Sequence, residues 1–220
     1  MTPGKFVAAL QQASFPSVFN PYSDTCPEHD HSGSPEIRRS NLLLYLESVV
    51  AGGAESVWLG RDCGYRGARR TGIALTDERQ LSALERHFAV RGLSKATAGG
   101  IVAERTATEV WKMVRELRAR TFLWNVFPFH PHAADDPMSN RPHRAAEFRQ
   151  SEELLAGLLE WLRPSMVVTL GNDAAKAIAR LGLKSSLVRH PSYGGHLEFA
   201  RALRRLYAKD LNSTNDYADG

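Results

Sequence analysis

Ser56-Val57-Trp58-Leu59-Gly60-Arg61-Asp62-Cys63-Gly64-Tyr65-Arg66-Gly67 is a short, mostly apolar run that leads straight into a loop of glycine, arginine and one carboxylate. Bounded by Gly52-Gly53 before and Gly60 after, the run Ser56 to Leu59 predicts a buried strand. Three more apolar runs read the same way: Thr121 to Val126, Met166 to Leu170, and Ser186 to Val188. Helical patterns fill the intervals. Ser34-Pro35-Glu36 supplies an N-cap and a first-turn proline for a helix reaching Val50, which Gly52-Gly53 stops. Asp77 to Val90, the spacing of Val110, Trp111, Val114 and Leu117, Ala146 to Leu162, Ala174 to Leu181 and His196 to Tyr207 predict the rest. A polar, proline-bearing segment spans Pro128 to Pro142.

Strands alternating with helices predict an α/β fold, a three-layer α/β/α domain around a central, mainly parallel, four-stranded sheet. The length suits a single domain over residues 1–211, followed by a small, polar, frayed tail from Asn212. No internal repeat interrupts it. In such sheets ligands lie beyond the carboxyl ends of the strands. That rule selects Gly60-Arg61-Asp62, Asn125, Gly171-Asn172 and His190.

The formal charge of +4 and pI near 9.2 are compatible with nucleic acid as a partner without requiring it. Arg61, Arg66, Arg69 and Arg70 crowd the first loop, and Arg201, Arg204 and Arg205 follow His190; solvated surface accounts for such runs equally well. No apolar run approaches the roughly 18 residues that a membrane span needs. The N-terminal run Phe6 to Leu10 is too short for a signal peptide, so a cytoplasmic monomer is the expectation. Cys26 and Cys63 are too few for a disulfide framework or an iron–sulfur cluster. Cys26, His29 and His31, with Cys63, offer zinc-type donors, but their spacing matches no common zinc pattern. No metal or cofactor is expected.

Glycines 60, 64, 67 and 72 let the first loop bring its backbone close to a ligand. Their spacing is neither the dinucleotide fingerprint nor a phosphate-binding P-loop, which argues against a nucleotide-binding enzyme. Asp62, at a strand end, suits a base or water-positioning group, or a loop cap. His190-Pro191-Ser192-Tyr193-Gly194-Gly195 puts a histidine at another strand end, followed by small residues that suit close approach to a phosphate.

Four pieces in order resemble the uracil-DNA glycosylase superfamily: Gly60 to Glu78, Phe122 to Asn125, Leu162 to Gly171, and Arg189 to Ser192. The resemblance runs from about Val57 to Leu206. It implies a monofunctional glycosylase that flips a pyrimidine nucleotide out of DNA and hydrolyses its N-glycosidic bond. It implies Asp62 as the water-activating or cation-stabilising carboxylate, His190 as donor to the leaving base, and Asn125 as reader of the base edge. Gly60, Arg61, Cys63, Gly64 and Leu75 would complete the base pocket; Tyr65, Arg66, Arg69, Arg70, Ser192 and Gly194 would contact DNA, with Tyr193 as a wedge.

The departures carry information. Ser151 stands where the iron–sulfur branch places its last cysteine ligand. Cys63 and Gly64 stand where the strict uracil branch has proline and a tyrosine that excludes 5-substituted pyrimidines, and Leu75 replaces the aromatic that stacks on uracil. Glycine at 64 is expected to free space near the 5-position. The expected substrate is therefore a 5-substituted or hypermodified pyrimidine of the kind phage DNA carries. Uracil repair of relaxed specificity, and a non-catalytic DNA-binding or damage-sensing protein, are the alternatives.

Overall fold

The computed structural model describes the backbone of residues 1–215 and the side chains of residues 1–208. In chain order the elements are α1 (Pro3–Gln12), β1 (Val18–Phe19), α2 (Ser34–Gly52), β2 (Ser56–Asp62), α3 (Ala68–Thr71), a 3-10 turn (Glu78–Gln80), α4 (Leu81–Phe88), α5 (Arg105–Leu117), β3 (Thr121–Phe127), β4 (His130–Pro131), α6 (Ala145–Leu162), β5 (Met166–Leu170), α7 (Asn172–Arg180), β6 (Ser186–Val188) and α8 (His196–Asn215). The main sheet has four strands in the order β3-β2-β5-β6, all parallel. This is the α/β architecture the alternating runs predict. α8 carries the backbone into the expected polar tail, and residues 216–220 lie outside the described residues.

β2 is central, paired with β3 on one side and β5 on the other, and its first five residues are buried. Trp58 anchors α8 to this strand. Its ring meets Phe199 and Tyr207 edge-on, and its Nε1 donates to the Tyr207 hydroxyl at 2.9 Å. The chain steps from β2 outward to β3, then returns past β2 to β5 and on to β6. Right-handed crossovers then put α4 and α5 on the face opposite α6 and α7. The strand order thus reverses between β2 and β5, which opens a crevice at their carboxyl ends.

α1, the short α3 and the paired strands β1 and β4 lie outside the sequence reading. α1 starts from a Thr2 cap with Pro3 in its first turn, and buries Phe6 against Trp124 and Trp161. A two-stranded antiparallel sheet joins β1 to β4, pairing Val18 with Pro131 and Phe19 with His130. This small sheet ties the proline-bearing segment to the N-terminal stretch of the chain, and Asn140 and Arg141 of that segment line the cavity at the main sheet.

Arg69 and His130 brace that segment. Arg69 is 4% exposed; its guanidinium lies 4.0 Å over the Phe19 ring and also donates to the Pro137 carbonyl. Its Nη1 is 3.0 Å from His130 Nδ1, while His130 Nε2 reaches the Ser139 carbonyl at 2.9 Å. This pattern fits one state: a neutral imidazole that accepts at Nδ1 and donates at Nε2. Burial, then the Arg69 charge, pushes the His130 pKa down to about 3. An unfolded histidine takes up its proton near 6.5, so this contribution to stability is complete above that pH and declines as pH falls from 6.5 toward 3. Urea unfolding should therefore show the stability advantage of wild type over His130→Gln shrinking by about 2 kcal/mol between pH 7 and pH 5. An advantage independent of pH would contradict a neutral His130.

Candidate active site

The carboxyl ends of all four main strands open on one cavity of about 810 Å³. Gly60 to Gly64, Asn125, Leu170 to Asp173 and Val188 to His190 line it, joined by Leu75 and Glu104. The structure thus brings both predicted catalytic residues and every predicted base-pocket residue to one place.

Asp62 is the last residue of β2 rather than a loop residue, because the strand keeps pairing with β3 up to Asp62 opposite Phe127. Its carboxylate is 7% exposed and engaged at both oxygens. Arg61 Nε donates to Oδ2 at 2.6 Å, and His143 Nδ1 lies 2.5 Å from Oδ1. Arg61 also reaches Asp173 at 2.7 Å, at the start of α7, so one guanidinium ties the ends of β2 and β5 together.

Asn125 lies within β3, not at its end, directly opposite Gly60. The absence of a side chain at 60 is a steric requirement. A Cβ there would fall 2.5 Å from Asn125 Oδ1 and 2.9 Å from Leu75 Cδ2. The amide nitrogen of Asn125 reaches Cys63 Sγ at 3.5 Å, and Oδ1 is buried with no hydrogen-bond partner. A buried amide oxygen left unpaired costs about 1–3 kcal/mol, which a ligand donor recovers. Leu75, buried and in the left-handed region at φ 54°, supplies an aliphatic wall. Burial raises the Cys63 thiol far above its ordinary pKa, so Cys63 shapes the pocket as a protonated thiol.

His190 is fixed by its own loop. Its Nδ1 accepts from the Ser192 backbone N–H at 3.2 Å and lies 2.7 Å from Ser192 Oγ. That leaves the proton on Nε2. Burial, then the Arg61 charge, holds the imidazole pKa below the ordinary range, so the ring is a neutral N–H donor at physiological pH. Beyond it, Tyr193 is 94% exposed in the left-handed region at φ 49°, followed by Gly194 at φ 79°. A tyrosine held outward at this strained turn is free to enter a partner.

Two DNA-contact expectations are corrected. Arg69 and Arg70 are inside the protein and face its interior groups, not a phosphate. Arg69 braces Phe19 and His130 as described, and Arg70 donates to Glu78 at 3.1 Å and Thr97 at 2.9 Å. Arg66 is exposed, held over the Tyr65 ring with Nε 2.8 Å from its hydroxyl. Tyr65 is half-buried; its backbone N–H donates to Asn140 Oδ1 at 3.1 Å. The space expected beside Gly64 is also not open. The Glu104 carboxylate lies where a side chain at 64 or 67 would go. Glu104 is the N-cap residue of α5 yet caps nothing with its side chain, which turns into the cavity instead. Burial, then Asp77, pushes its pKa up to about 7.

Sequence reasoning missed Glu104 and His143. His143 carried a weak signal, a histidine among polar residues beside Pro142; Glu104 carried none, being far along the chain from Gly64. Among the described residues no group of three or more His, Cys, Asp or Glu side chains is arranged to hold a metal. No helix among them is long and apolar enough to cross a membrane.

A family model described as the Uracil DNA glycosylase superfamily matches residues 49–211. Among solved structures, the crystal structure of wild-type SMUG2 from Pedobacter heparinus is similar, with a TM-score of 0.59 at 16% identity, covering 99% of this chain and 97% of that one. At that identity the likeness speaks to the fold. No curated protein matches.

Replacing a strand glycine by alanine normally gains about 0.5–1 kcal/mol of stability. At Gly60 the sign should reverse: the Asn125 and Leu75 collisions predict a loss of about 1–3 kcal/mol in denaturant unfolding. Unchanged or increased stability of Gly60→Ala would contradict the packing described.

Proposed function

The chain belongs to the uracil DNA glycosylase superfamily and is a DNA glycosylase, a hydrolase of N-glycosyl bonds, and from that premise we propose which residues break the bond and which base they release. Asp62 and His190 are the catalytic pair. As the C1′–N bond breaks, its electron pair leaves with the base and positive charge grows on the sugar. The Asp62 carboxylate stabilises that cation and orients the water that adds to C1′. The water's proton passes to the carboxylate and then to solvent. The His190 Nε2–H donates a hydrogen bond to the negative charge growing on the base carbonyl; the neutral ring keeps that proton, and the departing base anion takes one from solvent. The products are a free base and an abasic site.

The unpartnered Asn125 Oδ1 carries this reading. A buried amide that leaves one oxygen unsatisfied at the wall of a cavity is suited to a base edge with a donor, and its nitrogen suits an acceptor beside it. Gly60, Arg61, Cys63, Gly64 and Leu75 surround that base. Outside the pocket, Tyr193 is the wedge that fills the gap left by the flipped nucleotide. Ser192, Gly194, Tyr65 and Arg66 approach the backbone.

The base we propose is a 5-substituted pyrimidine, including the hypermodified pyrimidines of phage DNA. The aliphatic wall that Leu75 supplies, where a stacking aromatic would select plain uracil, supports it. Glu104 sharpens it: the wall beside Gly64 is a carboxyl group that meets no hydrogen-bond donor among the described residues, which favours a substituent that donates one. Single-turnover release from oligonucleotides carrying uracil, 5-methyluracil or 5-hydroxymethyluracil tests the scheme. Asp62→Asn and His190→Ala should each slow release by about 10²–10³-fold. Release unchanged in both variants would remove these residues from the chemistry, and wild-type binding without release would make the chain a sensor of DNA.

A further inference from the structure

His143 touches the site through one group. It lies outside the cavity lining, 12% exposed, and among the described residues its one hydrogen-bonding contact is Nδ1 to Asp62 Oδ1 at 2.5 Å. Everything around it fixes that contact. The ring lies between Phe127 of β3 and Phe148 of α6, at centroid distances of 5.4 and 5.7 Å. Pro142 precedes it with a fixed φ. On the flanks, Arg141 grips Glu147 through both guanidinium nitrogens at 2.7 and 2.9 Å, and the Arg144 N–H donates to the same carboxylate at 2.6 Å. The backbone at 143 is thus pinned on both sides to the first turn of α6, and the ring is clamped between two aromatics.

A histidine placed so rigidly against a carboxylate does what the third member of a nucleophile–base–orienting group does: it sets the geometry of the group that reacts. Resting on the assignment of Asp62 to catalysis, we infer that His143 is the positioning residue of Asp62, donating from Nδ1 so that the carboxylate presents its remaining lone pairs to the cavity. Arg61 holds the other oxygen, but Arg61 is shared with Asp173 and more exposed, so His143 is the stiffer of the two supports.

The test separates geometry from folding. His143→Phe keeps a ring between Phe127 and Phe148 and deletes the donor. His143→Asn puts an amide N–H where Nδ1 stood. With the better substrate among uracil and 5-hydroxymethyluracil oligonucleotides, His143→Phe should lower the single-turnover rate by about 10²-fold, the cost of misplacing a catalytic group by about 1 Å. DNA affinity should stay within about twofold, and His143→Asn should recover most of the rate. In an Asp62→Asn background His143→Phe should have no further effect, because the donor acts only through the carboxylate. A wild-type rate in His143→Phe, or the same loss in both backgrounds, would overturn the inference while leaving the Asp62 assignment standing. An Asp62→Asn rate equal to wild type would overturn that assignment and this inference with it.

Discussion

Gly60 and Asn125 face each other across the last buried pair of β2 and β3, and the absence of a side chain at 60 is what lets an amide stand at the cavity wall. From that pairing the rest of the site follows geometrically. β2 runs two residues further and delivers Asp62 to the rim, while the neighbouring strand, β5, ends at Leu170, just before Gly171 beside His190. The reversal of strand order between β2 and β5 separates the loops above them, so the cavity has somewhere to open. Any side chain at 60 would push Asn125 and Leu75 together out of the wall.

The electrostatics divide the cavity. At one end the Asp62 side chain is held by a guanidinium and an imidazole; at the other a neutral imidazole offers an N–H. Bond cleavage that builds positive charge on the sugar and negative charge on the base needs that polarity in that order. Arg61 serves both ends, by pairing with Asp62 and by disfavouring a proton on His190. Glu104 adds a third feature, a carboxyl group poised near neutrality on the wall beside Gly64. Of the arginines in this loop, Arg69 and Arg70 are buried and hold it to the body of the protein.

The strands were legible because each is a short apolar run closed by glycine, proline or a charge; strand ends then located Asp62 and His190, while Asn125, expected at an end, stands two residues inside β3. Arg66, Arg69 and Arg70 could not be told apart, since burial depends on what packs above them: Phe19, His130, Glu78 and Thr97 come from elsewhere in the chain. β1 and β4 contribute two residues each, too few for any periodicity to register. Glu104 and His143 reach Gly64 and Asp62 across 40 and 81 positions of sequence, and only the folded chain brings them together. Glycine at 64 suggested empty space because a local reading cannot see which distant side chain fills it.

Release of an intact, 5-substituted pyrimidine by hydrolysis is the activity we propose for this cavity. Mass spectrometry of the small molecules freed from genomic DNAs of differing modification status tests it most directly. A free 5-substituted pyrimidine is expected, with alkali-labile abasic sites left in the DNA in equal number. Release of uracil alone, or strand binding with no free base from any DNA, would contradict it.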